Sequence, residues 1–178
     1  PRTIPRMVIG ALVLWAAVHI GMGYPRDHYD GWIEAYFPPS DYGYDEGPLG
    51  LEWHDSYQEA YAEGREKNQV VFLDFTGVTC VNCLRMEGNI FPADGVAEQI
   101  GSVVRAHLYV DKGEHGDDNG NYAVDFFGKA SQPFYVMMDP FMEEKLSEFD
   151  GYDPDPERFA EFLKKGIDAG RQRGIGVN

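Results

Sequence analysis

The sequence contains little cysteine and few positive charges. Two cysteines occur among its 178 residues, and 15 Lys and Arg stand against 30 Asp and Glu, for a net charge of −15 at pH 7. Two cysteines are too few for the disulfide framework that stabilises small secreted proteins. The deficit of basic residues excludes a nucleic-acid-binding protein, since nucleic acids need a positively charged surface. Hydrophobic residues make up 43% of the chain, which is enough for a folded core.

The few basic residues are unevenly placed. Residues 1–26 hold three Arg and no acid, which leaves a net charge of −18 for the rest of the chain. Within these residues, the stretch Met7–Tyr24 carries no charge. Folded as a helix, it would rise about 27 Å, close to the thickness of a bilayer's hydrocarbon core. We therefore predict a transmembrane helix within residues 1–24, with its basic end in the cytoplasm. A signal peptide and a buried core helix are the alternatives.

Beyond this helix, composition divides the chain. Residues 25–50 are rich in aromatic residues, Pro and Gly, and we predict a membrane-proximal linker there. Residues 51–170 are predicted to form one α/β domain, followed by a tail over 171–178. The polar loop Lys112–Asn121 is predicted to be a solvated insertion. Apolar spacing and turn residues predict, in order, a helix from Ser56 to Lys67, strand Val70–Phe75, a helix from Cys80 to Asn89, strand Ser102–Val110, helix Tyr122–Phe127, strands Phe134–Met138 and Lys145–Phe149, and a helix from Pro156.

The two cysteines are spaced C-x-x-C between a buried strand and a helix. Cys80 would lie at the helix N-terminus, where unpaired N–H groups and the helix dipole lower the pKa of a thiol. Cys83, one turn later, would close a disulfide by displacing a bound partner. A zinc site and a purely structural disulfide are less favoured, because no second ligand pair is present and the closed loop is very short. Haem attachment needs His where Leu84 stands. We predict a redox-active disulfide that uses no metal and no further cofactor.

Three other residues are candidates for the site. Asp74 lies in an apolar strand, where burial would raise its pKa and let it exchange a proton with Cys83. Glu87 follows Cys83 by one helical turn and would tune the potential of the pair. Pro133 precedes an apolar strand, and a cis bond there would let the turn face the disulfide and a substrate. A strand-edge carboxylate, a solvated helix acid and an ordinary proline are the respective alternatives.

This pattern resembles the thioredoxin fold in its order of elements, its C-x-x-C after the first central strand and its proline before the next-to-last strand. Residues 51–168 are similar to the C-terminal thioredoxin-like domain of the DsbD (thiol:disulfide interchange) family. The residues that carry this similarity are D-F-T-G-V-T-C-V-N-C-L-R-M-E, N-I-F-P-A-D-G-V and S-Q-P-F-Y-V-M-M-D. The resemblance implies a central mixed sheet flanked by helices, preceded by a transmembrane helix similar to the family's last membrane span.

The resemblance also implies an activity and a location. The chain would be a protein-disulfide reductase of the bacterial inner membrane, with its thioredoxin-like domain in the periplasm. Electrons would come from an upstream membrane domain and pass to oxidised periplasmic thiol proteins. A tethered oxidase or isomerase is one alternative. A non-catalytic thioredoxin-scaffold module, for example a chaperone in cytochrome c maturation, is another.

Individual roles follow from the same resemblance. Cys80 would attack the substrate and Cys83 would resolve the mixed disulfide, while the acids at Asp74 and Glu87 would modulate the thiols. The expected substrate contacts are Thr79, Gln132 and Pro133. Thioredoxins commonly carry a tryptophan at the position of Thr79, so substrate docking is expected to differ here.

Overall fold

The computed structural model describes residues 8–15 and 47–177. The chain divides into two units, Pro1–Pro38 and Pro39–Asn178. In the first unit, residues 8–15 are helical and their side chains are exposed. Among the described residues, no helix combines the length and the apolar character needed to cross a membrane. The remainder of the predicted helix Met7–Tyr24, and most of the predicted linker, lie outside the described residues.

The second unit is built on a mixed sheet of four strands, which confirms the predicted α/β architecture. The strands lie in the order β2-β1-β3-β4. Strand β2 runs parallel to β1, whereas β3 is antiparallel to both β1 and β4. Every residue of β1 and β3 is buried, as expected for apolar central strands covered on both faces. The strands are β1 (Val71–Thr76), β2 (Val104–Tyr109), β3 (Phe134–Asp139) and β4 (Glu144–Asp150).

Five α-helices surround this sheet in the described part of the chain. The second continues directly into a π-helical turn, and a 3-10 turn at Pro48–Gly50 precedes the first. The last helix begins where the Asp155 carboxylate accepts a hydrogen bond from Glu157 N, with Pro156 at the first helical position. The helices are α1 (Tyr57–Lys67), α2 (Val81–Arg85) with its π-helical turn (Met86–Ile90), α3 (Val96–Gly101), α4 (Gly116–Phe127) and α5 (Pro156–Gln172).

The region between β2 and β3 differs from the prediction. Helix α4 begins at Gly116 rather than Tyr122, so the prediction of a solvated insertion over Lys112–Asn121 is wrong for its second half. Asn119 is buried there, and its amide donates to the carbonyl oxygens of Asp55 and Tyr109. The first turns of the helix were left out of the prediction because they are polar and contain glycine, which conceals helical periodicity.

Two other helices differ from the prediction. Helix α3 was not predicted, because its six residues are too few to show a period. Helix α5 runs to Gln172, into the predicted tail, and Ile175 just beyond it is buried. Gly176 then forms a bridge with Gln69 beside the start of β1.

The core consists of one hydrophobic cluster on each face of the sheet. Successive residues of β1 point to opposite faces: Phe72 packs in one cluster, and Leu73 and Phe75 pack in the other. The first cluster also contains Met86 of the π-helical turn and several aromatic side chains, and helix α5 packs against it. Asp74 lies two residues after Phe72 and therefore points to the same face of the sheet. Its carboxyl group enters the cluster that is rich in aromatic side chains.

Helix α5 packs so closely on this face that a methyl group would not fit at Gly166. A Cβ there would overlap Met137 and lie 2.7 Å from Ser147 Oγ. We expect Gly166→Ala to lower the free energy of unfolding by about 1–3 kcal/mol, the usual cost of overpacking a core. The matched control is Gly101→Ala at the end of α3, where a Cβ would meet nothing within 4 Å. Urea unfolding of both variants measures the difference, and equal stabilities would contradict the packing described here.

Candidate active site

The two cysteines form a disulfide at the start of α2. Cys80 is the N-cap residue, and its Sγ accepts a hydrogen bond from Cys83 N at 3.2 Å. Cys83 is 1% exposed, whereas Cys80 is partly exposed. A reacting partner therefore reaches Cys80 first. In the reduced protein, the same N–H group would stabilise a Cys80 thiolate.

Cys80 opens into a small surface pocket of about 310 Å³. Of the predicted substrate contacts, Thr79 and Gln132 line this pocket, whereas Pro133 is buried and does not. The peptide bond between Gln132 and Pro133 is cis. The carbonyl oxygen of Pro133 accepts a hydrogen bond from Gly151 N at 2.9 Å, within the fold. The pocket is lined by Gly77, Thr79, Cys80, Val81, Asn82, Asp111 and Gln132.

Asp111 belongs to this pocket but was missed in the sequence. Its two carboxylate oxygens accept hydrogen bonds from Val78 N at 3.1 and 3.0 Å, so it holds the loop that leads to Cys80. A signal for it was available: Asp111 lies just after β2, and the carboxyl ends of parallel β1 and β2 meet at one edge of the sheet. In the sequence, Asp111 stands directly before the polar loop Lys112–Asn121, and no spacing motif includes it.

Asp74 is fully buried in the centre of β1, so the alternative of a solvated strand-edge carboxylate is excluded. Neither carboxyl oxygen has a hydrogen-bond partner in the described chain. Burial raises the pKa of Asp74 to about 8; the charge of His107 opposes this shift and that of Glu87 adds to it. Tyr135, the neighbour of Asp74 on β3, is also buried. Burial, together with the charges of Asp74 and Glu87, raises the pKa of its hydroxyl. Asp74 is therefore held by its environment in a readily protonated state.

His107 is the second functional candidate that the sequence analysis missed. It lies opposite Asp74 on the parallel strand β2. Its Nε2 is 3.3 Å from Glu87 Oε1 and 3.8 Å from Asp74 Oδ2. Burial acts to lower the pKa of His107, but the hydrogen bond to Glu87 and the two acidic charges outweigh burial and raise it. His107 belongs to no spacing motif, and the signal that identifies it is the pairing of β1 with β2.

Glu87 joins this group rather than facing solvent. Its side chain is 7% exposed, and it also accepts a hydrogen bond from Thr76 Oγ1 at 3.4 Å. In the described part of the chain, Asp74, Glu87 and His107 are the one set whose ligand atoms lie close enough to share a metal ion, within 4.8 Å. His107 Nε2 and Glu87 Oε1 are within hydrogen-bond distance of each other, so the set can hold and exchange protons. We call it the Asp74 cluster.

Comparison with known proteins agrees with this geometry. The family model described as thioredoxin-like matches residues 52–140, which is half of the chain. The chain belongs to the thioredoxin-like family. A search of curated proteins found no match to this sequence. The thioredoxin-like match includes the C-x-x-C loop, all three residues of the Asp74 cluster, and the cis proline.

Solved thioredoxin-like structures share the fold. A thioredoxin from Thermus thermophilus is 23% identical with a TM-score of 0.58, over 70% of this chain and 92% of that one. A structure titled DsbH oxidoreductase is 20% identical with a TM-score of 0.54, over 66% and 85%. The reduced C-terminal domain of Neisseria meningitidis DsbD is 17% identical with a TM-score of 0.50, over 62% and 93%. The predicted thioredoxin-like fold is thus confirmed, with a disulfide at the C-x-x-C position.

The buried carboxyl group makes stability depend on pH. Asp74 has a pKa of about 8 in the folded protein, against 3.8 for an unperturbed carboxyl group. The folded state therefore binds more protons between these values, and the free energy of unfolding falls as pH rises through them. The amide in Asp74→Asn does not ionise, so this variant avoids the loss of stability that ionisation of Asp74 causes. We expect the variant to gain stability relative to the wild type between pH 4 and pH 8, by about 1 kcal/mol or more, since one pH unit is worth about 1.4 kcal/mol.

Urea unfolding at pH 4, 6 and 8 measures this gain. Asp125→Asn, at an exposed acid of α4, is the matched control and should differ from the wild type by the same amount at each pH. A difference between Asp74→Asn and the wild type that does not change with pH would contradict the burial argument.

Proposed function

We propose that this protein is a thiol:disulfide oxidoreductase that works as a protein-disulfide reductase. The observation that carries the proposal is the arrangement of the two sulfurs, with Cys80 open to a surface pocket and Cys83 buried. This asymmetry assigns attack on a substrate to one sulfur and resolution to the other. The resolving sulfur must lose a proton away from water, and a buried carboxyl group is suited to take it.

The reaction begins with the reduced pair. The Cys80 thiolate attacks one sulfur of a target disulfide; the target S–S bond breaks, and the leaving sulfur takes up a proton. Asp74, once it has lost its own proton, takes the proton of Cys83 as a carboxylate, and the Cys83 thiolate attacks Cys80 Sγ. The bond between Cys80 and the target breaks, the target leaves reduced, and the disulfide of the protein forms. The two electrons gained by the target are those lost by the dithiol.

The placement of Asp74 supports its role in this sequence. The strand that carries it leads directly into the C-x-x-C loop. Glu87, which belongs to the Asp74 cluster, follows Cys83 by four residues along one continuous helical segment. Residues four apart share a helical face, so the side of the helix that bears Cys83 also faces the cluster.

We further propose that this reductase works in the periplasm, tethered to the bacterial inner membrane through Met7–Tyr24. The uncharged segment after a basic start supports the tether. The C-x-x-C, N-I-F-P and S-Q-P-F motifs, similar to those of the DsbD family, support electron transfer from an upstream membrane domain to oxidised periplasmic proteins. Thr79 and Gln132, which line the pocket at Cys80, would then contact those substrates.

Single cysteine variants test the assigned order of attack. Cys83→Ser should accumulate a mixed disulfide between Cys80 and an oxidised substrate protein, because nothing resolves it. Cys80→Ser should form none and should lose insulin reduction. Non-reducing gels with mass spectrometry detect the adduct. A Cys80→Ser variant that still associates with its partner, combined with a wild type that reduces no disulfide, would favour a binding module instead.

The reduction potential separates a reductase from an oxidase. We expect a value close to that of thioredoxin, about −270 mV, measured by equilibration with glutathione or dithiothreitol. A value near that of the oxidant DsbA, about −120 mV, would contradict the reductase proposal.

The proposed role of Asp74 predicts a kinetic effect. Asp74→Asn should slow the attack of Cys83 on a preformed Cys80 mixed disulfide about tenfold or more near neutral pH, because its proton acceptor is gone. Stopped-flow release of a labelled substrate measures this step, and Asp125→Asn again serves as the control. An unchanged rate, together with an unchanged thiol titration, would remove Asp74 from the mechanism.

A further inference from the structure

A second opening reaches the Asp74 cluster from another part of the surface. It is a cleft of about 1010 Å³, and both Glu87 and His107 are among its lining residues. The walls are formed by residues 47–55 before α1 and by the segment between β2 and α4. This cleft and the pocket at Cys80 have no lining residue in common. The cluster therefore has its own access to solvent.

We propose that His107, paired with Glu87, carries protons between Asp74 and this cleft, so that proton exchange and thiol exchange use separate openings. The inference rests on the proposed function, in which Asp74 takes the proton of Cys83. A substrate protein bound over Cys80 covers that pocket while Cys83 must lose its proton. A route through the other opening remains available throughout this step.

The contacts within the cluster provide such a route. Asp74 has no exposed surface, whereas the side chains of His107 and Glu87 are 11% and 7% exposed. The gap of 3.8 Å between His107 Nε2 and Asp74 Oδ2 closes to a hydrogen bond with a small side-chain movement, as is common for catalytic groups before substrate binds. Imidazole suits this task because it takes up and releases protons near neutral pH.

The proton balance of the route is simple. His107 takes the proton of Asp74 and releases it to water in the cleft, and the Asp74 carboxylate then takes the proton of Cys83. The imidazole ends in the state in which it began, and Glu87 stabilises its charged form in between. No electron moves in these steps.

Aromatic rings hold His107 in place for this exchange. The ring of Trp53 lies 5.7 Å from the imidazole, and that of Tyr109 lies 4.8 Å away, centre to centre. Lys112 Nζ lies 3.9 Å from the centre of the Tyr109 ring, and its charge opposes protonation of His107. The charged groups that face His107 therefore have opposing effects on its protonation. Asp74 and Glu87 favour the imidazolium, and Lys112 disfavours it.

His107→Gln tests the proposal in the full chain, kept in EDTA so that no metal ion contributes. We measure how fast Cys83 resolves a mixed disulfide of Cys80 with a protein, and separately with glutathione, between pH 5 and pH 9. Resolution should slow about tenfold with the protein adduct and less with glutathione, because glutathione leaves the Cys80 pocket partly open to water. The pH profile should also lose the inflection contributed by the imidazole. His115→Gln, in the wall of the same cleft, should leave both rates unchanged.

Imidazole added to His107→Ala provides an independent readout, because the cleft is large enough to admit it. The proposal expects the added base to restore resolution in this variant and to have no effect on the wild type. Glu87→Gln offers a second variant if substitution of the histidine prevents folding, and it should slow the same protein adduct.

Two outcomes separate this inference from the proposed function. If Asp74→Asn is slow while His107→Gln and Glu87→Gln keep wild-type rates and pH profiles, the route through the cleft is wrong and the role of Asp74 stands. If Asp74→Asn is also unchanged, the proposed mechanism fails together with the route.

Discussion

The constraint on which the rest of the site depends is the burial of one carboxyl group in the central strand. Asp74 lies among aromatic side chains, without solvent contact and without a hydrogen bond in the described chain. A charge is costly in such a place, so the group favours its protonated form. The neighbouring strands supply the groups that respond to its charge, His107 on one side and Tyr135 on the other. The sheet order β2-β1-β3 therefore determines which side chains Asp74 meets.

Much of the redox centre could be predicted from the sequence because its signals are local. A buried strand followed by C-x-x-C and a helix places Cys80 at the helix start, as the structure shows. The cis bond before Pro133 was indicated by its position ahead of an apolar strand. Both features depend on residues within a few positions of one another, whereas the mixed sheet was implied only by the resemblance to the thioredoxin fold.

What escaped prediction depends on contacts between distant parts of the chain. His107 meets Asp74 through strand pairing, and Asp111 reaches Val78 N across 33 residues. Neither residue belongs to a spacing motif, so pattern reading gave them no weight. The predicted helix α4 was too short for a different reason. The Gly and Asp residues of its first turns suggest a loop, and only the buried contacts of Asn119 show that they belong to the helix.

Strand β2 links the two openings mechanically. The same strand carries His107 near its middle and is followed at once by Asp111, whose carboxylate holds the loop before Cys80. Lys112, stacked on Tyr109, comes directly after it. A sliding or tilting of β2 against β1 would thus change the exposure of the attacking sulfur and the distance between imidazole and carboxyl group together. In the proposed reaction, thiol exchange and proton transfer would thus share one structural support, and a partner bound at either opening is expected to influence both.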